Sequence, residues 1–386
     1  MSQDDLPPLR GFKYLRDVSP LLERLRPCGT ERDASGNREF FFDQYAALLL
    51  LYFFNPALTS MRGLAKATEL RKVRAAANSS RVSLGSLSEA PGVFDPGLLR
   101  GVLSGLAGKA TAAALPRERA ALRELVAVDG SLIRALPGMA WALWQGPEKA
   151  AKLHLAFEVF RGPADATLTH ANGSERAELL SQLARPGKVY VLDRGYEGYE
   201  LLARLRRMGS SFVARVQNDA AHEVARERPV NGEASAVGVV GDVELARLGT
   251  DHHKDHHKGQ PIRMVVVELP DPRAGEAKII TLLTDRLDWP AELVALAYRY
   301  RWSVELFFRW LKCILGCRHL LSHSRSGVAM QVYCALIASV LLGRWSGVKP
   351  DKRTYEMFCH YFSGWASEQE LRDHLDKLQA TPESSA

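Results

Sequence analysis

Two rhythms of apolar and polar positions divide this chain near residue 120. Before that point the pattern is helical. Gln44–Phe54 reads as a helix with Asp43 as its cap and Asn55-Pro56 as its stop. A second helix, Ser60–Ala77, carries Arg62, Lys66, Arg71, Lys72 and Arg74. Residues 78–96 are rich in Ser, Gly and Pro and read as loop with a short turn, followed by a helix near Gly97–Leu106. Beyond residue 120 short apolar strands take over. Leu125–Val128 runs directly into Asp129, Leu153–Val159 alternates, and Ala166–His170 is a third strand. Ser174–Ala184 reads as a helix with Ser174 as cap and Glu175 in its first turn. Val189–Leu192 is a strand running directly into Asp193; a helix over Gly198–Met208 and a strand over Ser211–Val216 follow. This is an α/β core with mixed strand pairing.

From 217 to 283 the rhythm breaks into strand-like pieces, Val237–Leu248, Ile262–Leu269 and Lys278–Leu283. They surround a polar hairpin, 251–258, with four histidines and two aspartates. That hairpin reads as an exposed loop, with metal binding the alternative. After Trp289-Pro290 one long helix is predicted, then an apolar helix over Ser326–Arg344 and an unstructured tail from Thr381. On the long helix Tyr298, Arg301, Glu305 and Lys312 fall within an arc of roughly 60°, along about 21 Å of axis. Val304, Phe307, Leu311 and Ile314 occupy the opposite, core-facing side. A carboxylate between cations along so long a stripe suits a polyanion better than a small metabolite. Arg309 shares the arc, and Trp302 lies at its edge.

Composition narrows the partners. The 386 residues are 46% hydrophobic and 25% charged, an ordinary globular balance with room for two or three domains. The net charge of +7 favours acidic partners, nucleic acid first. Five scattered cysteines argue against a disulfide framework and for a reducing cytoplasm. Cys313, Cys317 and His319 lack an evident fourth ligand and read as packing groups. The acidic start is unlike a signal peptide, and the apolar runs Phe40–Phe54 and Val328–Leu342 are too short to span a membrane, so no membrane role is expected. The basic N-terminal helices are either a DNA-binding module or a solvated face.

Two aspartates at strand ends and a glutamate on a packed helix form a set of hard oxygen donors. Such a set suits Mg²⁺, which keeps waters and takes phosphate oxygens as further ligands. Spacing alone does not show that Asp129, Asp193 and Glu305 meet.

Tyr298-x2-Arg301-x3-Glu305-x6-Lys312 resembles the Y-R-E-K signature of insertion-sequence DDE transposases of the IS-four family. The surrounding 298–308 segment is similar too, as are Val128-Asp129-Gly130-Ser131 and Asp193-Arg194-Gly195-Tyr196. The likeness covers about 120–345, and more loosely Ser60–Leu64. It implies an RNase H-like catalytic core with a β-rich insertion between the second and third carboxylates. Asp129, Asp193 and Glu305 would be the catalytic and metal-binding triad, with Mg²⁺ (or Mn²⁺) as cofactor. Tyr298, Arg301, Lys312 and Arg194 would contact DNA, and Trp302 would either stack on DNA or pack in the core, since it borders both faces. Lys152 and His154 resemble a family Lys-x-His beside the site, and Ser131 replaces a common threonine.

The expected organisation is a helical DNA-binding region (1–120), a core in two parts (121–216 and 284–345), the β-rich insertion (217–283) and a helical C-terminal segment (346–386). The expected activity is cut-and-paste transposition: cleavage at the element's inverted-repeat ends and joining of the 3′-hydroxyls to target DNA. The expected form is at least a homodimer on double-stranded DNA, in the bacterial cytosol with the nucleoid. Rivals are a metal-dependent nuclease or resolvase without strand transfer, and an inactive DNA-binding derivative.

Overall fold

The computed structural model describes residues 18–28, 32–33, 35–109, 117–249, 257, 260–270, 277–317, 319–349 and 351–380. The chain divides into two compact units.

One unit comprises Met1–Thr111, Arg134–Ala142 and Arg309–Ala386 and is helical. Its centre is the helix Phe42–Phe53, buried along almost its whole length and packed on Arg325–Ser346. Phe54 meets Trp345 and Phe362 at 5.5 and 4.8 Å between ring centroids. The Tyr355 hydroxyl donates to the Phe53 carbonyl at 2.6 Å, tying in the helix Lys352–Ser363. Glu368–Ala380 is the last helix described.

Local chemistry moves several expected boundaries in this unit. Phe41, not Asp43, holds the cap position, and its N–H donates to the Gln44 side chain at 3.0 Å. Asp43 lies inside the first turn, buried and paired with Arg26 at 3.3 Å. The expected helix Ser60–Ala77 is two helices, Met61–Ala67 and Arg71–Ala77. The Arg74 guanidinium donates to the Thr68 and Glu69 carbonyls at the break, at 3.0 and 2.7 Å. Within the expected loop 78–96 lies a helix, Leu84–Val93. Ser83 caps it by accepting the Ser86 N–H at 3.0 Å, and Leu87 and Ala90 bury its inner face. The apolar helix 325–346 is longer than expected, with 22 residues, so by length and composition it could cross a membrane. Of its most apolar window, 89% is buried inside the protein.

The other unit comprises Ala112–Ile133 and Leu143–Phe308. Ten strands among the described residues make one sheet. They are β1 (Leu125–Arg134), β2 (Leu143–Gln145), β3 (Glu148–Glu158), β4 (Gly162–His170), β5 (Val189–Leu192), β6 (Ser211–Val216), β7 (His222–Glu227), β8 (Val239–Leu248), β9 (Ile262–Leu269) and β10 (Lys278–Thr284). The order is β2-β3-β1-β5-β6-β10-β9-β8-β7, with β4 paired to β3. β1, β5 and β6 are parallel, and β10, β9, β8 and β7 extend the same sheet antiparallel. Period-two alternation gives two apolar faces. Val126, Val128, Tyr190, Leu192, Phe212 and Ala214 pack under the helix Tyr199–Arg207. Leu125, Val189, Val191, Val213, Ile280 and Leu282 pack under the helix Ala291–Arg299. A fully buried bidentate pair, Arg263 with Asp242 at 2.7 Å in both arms, joins β9 to β8, and Arg263 also donates to the Trp289 carbonyl. Removing one partner of such a pair costs about 3–5 kcal/mol.

Candidate active site

Strand register determines which side chains share a face. Ala127 of β1 lies opposite Val191 of β5, and Val191 lies opposite Val213 of β6. Two residues further along each strand stand Asp129, Asp193 and Arg215. Asp193 keeps an extended backbone beyond β5 (φ −82°, ψ −179°), so the alternation carries through to it. With neighbouring strands about 4.8 Å apart, the three form a row of two carboxylates and a guanidinium. β1 continues to Arg134, so Asp129 lies within a strand rather than at its end. It sits just past the last residue paired with β5.

Burial pushes Asp129 up to about 7. The Gly130 N–H, donating to its Oδ1 at 2.8 Å, pulls the other way; Asp193 and Glu175 push it further up, and Arg301 lowers it. Asp193 Oδ1 accepts the Gly195 N–H at 2.8 Å and caps the turn Arg194–Tyr196. The Tyr196 phenol is almost wholly buried. Burial raises it well above its ordinary value, and the charges of Glu175, Asp129 and Asp193 add to the shift.

The predicted long helix is not continuous. Ala291–Arg299 and Trp302–Arg309 are separate helices, and Trp310–Ile314 is a π-helical turn. At the first break the backbone switches to tighter bonds: Arg301 N–H to Tyr298 O and Ser303 N–H to Tyr300 O, both 3.0 Å. The Ser303 hydroxyl also donates to the Tyr300 carbonyl. The single-helix stripe of about 60° is therefore corrected, because Tyr298, Arg301, Glu305 and Lys312 belong to four backbone segments. Phe307 seats the second helix on Phe157 of β3 at 5.0 Å, and Tyr300 meets Phe160 at 5.1 Å.

Glu305 Oε1 pairs with Arg301 at 2.6 Å. The Arg301 guanidinium lies 5.9 Å from the rings of both Tyr298 and Trp302. Trp302 is 52% exposed, which removes core packing as its role. Burial raises the Tyr298 phenol above its ordinary value. The nearby charges of Arg301 and Arg215 and a hydrogen bond with Arg215 act against the shift. Asp193, Arg194, Arg215, Lys278, Tyr298 and Arg301 line a cavity of about 600 Å³. A smaller one, about 250 Å³, adjoins Arg194 and Arg215.

Five of the sequence-derived site residues thus cluster in this unit around Asp193: Asp129, Arg194, Tyr298, Arg301 and Glu305, with Trp302 against Arg301. Lys312 lies in the other unit, in the π turn. His154 is buried, bonded to Thr169 Oγ1 at 2.8 Å, and pushed down to about 4 by burial and by Lys152, so it stays neutral. Cys317 is a buried thiol pushed up to about 12 by burial. Within 251–258 only His257 lies among the described residues. It is buried, with its ring edge-on to Tyr199 at 6.4 Å. The tail from Thr381 lies outside the described residues. Among the described residues no group of three His, Cys, Asp or Glu side chains is arranged to hold a metal ion. Three residues join the cluster that spacing did not single out: Glu175, Arg215 and Lys278. For Arg215 the available signal was its place two residues past Val213, on the strand after Asp193.

Adjacent carboxylates at the edge of a cation-lined cavity can hold a hard cation and a phosphate ester together. The family model described as Transposase DDE domain matches residues 120–341, more than half of the chain, and the chain belongs to this DDE transposase family. It is 30% identical over 215 residues to the "Probable transposase for insertion sequence element IS5377" of Geobacillus stearothermophilus, covering 55% of this chain and 54% of that one. Two further relatives are each named as a putative transposase. One is y4zB of Sinorhizobium fredii, 29% identical over 206 residues, with 52% and 55% covered. The other, for insertion sequence element IS4SA of Synechocystis, is 21% identical over 304 residues, with 78% and 80% covered. The chain spans about half the length of the first two of these relatives, those of Geobacillus and Sinorhizobium.

Proposed function

We propose that this chain is a cut-and-paste DNA transposase of the IS-four type. It binds the inverted-repeat ends of its element, hydrolyses phosphodiesters there, and joins the freed 3′-hydroxyls to target DNA. Its catalytic core is RNase H-like. The observation that carries this reading is the Asp129–Asp193 row beside Arg215 and Arg301, inside the region matched by the family model.

The donor chemistry fits Mg²⁺ or Mn²⁺. The groups are carboxylates, and the proton affinity of Asp129 is raised first by burial and then by the charges of Asp193 and Glu175, all of which a bound cation would offset. Asp129 and Asp193 would hold the metal, joined by Glu305 once it leaves Arg301. Bound divalent ions, two in this reading, would supply an activated water or 3′-hydroxyl and stabilise the leaving oxygen. The protein's own groups do the rest. Arg301 and Tyr298 hold backbone phosphates beside Asp193, with Arg194, Arg215 and Lys278 continuing the cationic wall, and Lys312 and Trp302 add further DNA contacts. An incoming phosphate competes with Glu305 for Arg301, so substrate binding frees the third carboxylate. Two ends must be held at once, so the working form is at least a dimer on double-stranded DNA, in the cytoplasm with the chromosome.

Pre-cleaved ends test the class. Incubated in Mg²⁺ with target DNA, a transposase joins them and a nuclease without strand transfer leaves them free. Absence of joined product from ends that the protein binds would overturn this reading in favour of the nuclease.

A further inference from the structure

Glu175 opens the short helix Glu175–Glu178, capped by Ser174. An acidic residue in a first helical turn ordinarily needs no explanation beyond the helix dipole. Here the carboxylate is drawn away from the solvent. Its Oε1 pairs with Lys152 Nζ of β3 at 3.1 Å, and both side chains are largely covered. The same oxygen lies over Gly130: a Cβ at that position would come within 2.7 Å of it, so only glycine admits this approach. The Gly130 N–H in turn donates to Asp129 Oδ1. Behind them the buried Tyr196 ring brings its hydroxyl close to Glu175, Asp129 and Asp193. Arg176, the next residue, donates to the Gly195 carbonyl at 3.3 Å, fastening this helix to the Asp193 turn.

A salt bridge that served only to join β3 to a helix would gain nothing from standing beside two further carboxylates. Like charges in a partly buried site repel, and Lys152 offsets only one of the three. We propose that Glu175, braced by Lys152 over Gly130, is a positioning residue that orients Asp129 for a divalent cation. The proposal rests on the reading that Asp129 and Asp193 hold that cation. Glu175 acts from one contact behind Asp129. It presses on the peptide whose N–H fixes the Asp129 carboxylate, and its charge adds to the field that draws the cation in. Groups in this position commonly govern metal affinity by about 10–100-fold.

The test is Mn²⁺ titration of the DNA-free protein, followed by electron paramagnetic resonance. Glu175→Gln keeps the shape and removes the charge. It is expected to weaken Mn²⁺ binding by about tenfold or more, with Glu175→Asp recovering part of the loss. Gly130→Ala, which displaces the carboxylate, should weaken binding in the same direction. Thermal unfolding of the metal-free variants separates lost metal affinity from lost fold. A Glu175→Gln protein with wild-type Mn²⁺ affinity overturns the proposal. Asp193→Asn is the companion control. If it loses Mn²⁺ while Glu175→Gln does not, only the role of Glu175 falls. If neither variant differs from wild type, or wild type binds no Mn²⁺, the metal reading of the whole site falls with it.

Discussion

Burial, with the charges of Asp193 and Glu175 adding to it, raises the proton affinity of the Asp129 carboxyl. The folded chain holds this proton up to about pH 7, while an unfolded chain releases it near pH ~4. Folding therefore takes up a proton in that interval. The stability contributed is present below about pH 4 and lost as pH rises through 7. His154 acts in the opposite sense. It stays neutral in the folded chain down to about 4, whereas unfolded histidine charges near pH ~6.5. Its contribution is present above ~6.5 and lost on acidification toward 4. Across the shared window the two slopes oppose. Asp129→Asn removes one of them. The metal-free variant should be more stable than wild type at pH 8, and should lose stability more steeply than wild type between pH 6.5 and 4. Urea midpoints at three pH values measure both effects. A variant less stable than wild type at pH 8 would contradict the burial argument.

At the scale of elements, what was legible in the sequence was whatever local pattern encodes. The apolar runs ending near Asp129 and Asp193 marked the parallel strands, and the Ser174 cap marked its helix. Pairing was not legible, because register joins residues distant in sequence. Arg215 neighbours Asp193 only through β5 against β6, and Glu175 reaches Asp129 only through β3 beside β1. The helix break at Tyr300–Arg301 was hidden for a different reason. A 100° projection assumes uniform backbone bonds, and the Ser303 hydroxyl on the Tyr300 carbonyl signals a local departure that periodicity cannot register. Arg215 and Lys278 share a sheet face: Leu282 is opposite Arg215, and Lys278 lies four residues along β10 on the same side. If both meet phosphates, the Arg215→Gln/Lys278→Gln double variant lowers the slope of log affinity against log salt by about 1.8, roughly 0.9 per lost contact. A Lys352→Gln control should leave the slope unchanged. Fluorescence anisotropy on a mixed-sequence duplex reads it, and an unchanged slope in the double variant would remove these two residues from the DNA path.

At the scale of the whole molecule, the groups of the proposed site are distributed unequally over the two units. The sheet unit carries the carboxylates, the cationic cavity and most of the family match. The helical unit carries the basic helices Met61–Ala67 and Arg71–Ala77, and Lys312. A net charge of +7 favours a polyanionic partner without choosing a sequence. The choice of chemistry rests on Glu305, the only member of the proposed triad that is ion-paired to a DNA-contact candidate, Arg301, among the described residues. The most direct measurement is strand cleavage by Glu305→Gln in Mg²⁺, on duplex DNA taken from the sequence that flanks the gene. Loss of a metal-holding carboxylate forfeits several kcal/mol of transition-state stabilisation. The expected result is therefore about a hundredfold or greater fall in cleavage rate, with binding of the uncleaved ends retained. Cleavage at the wild-type rate would contradict the assignment of Glu305 with Asp129 and Asp193.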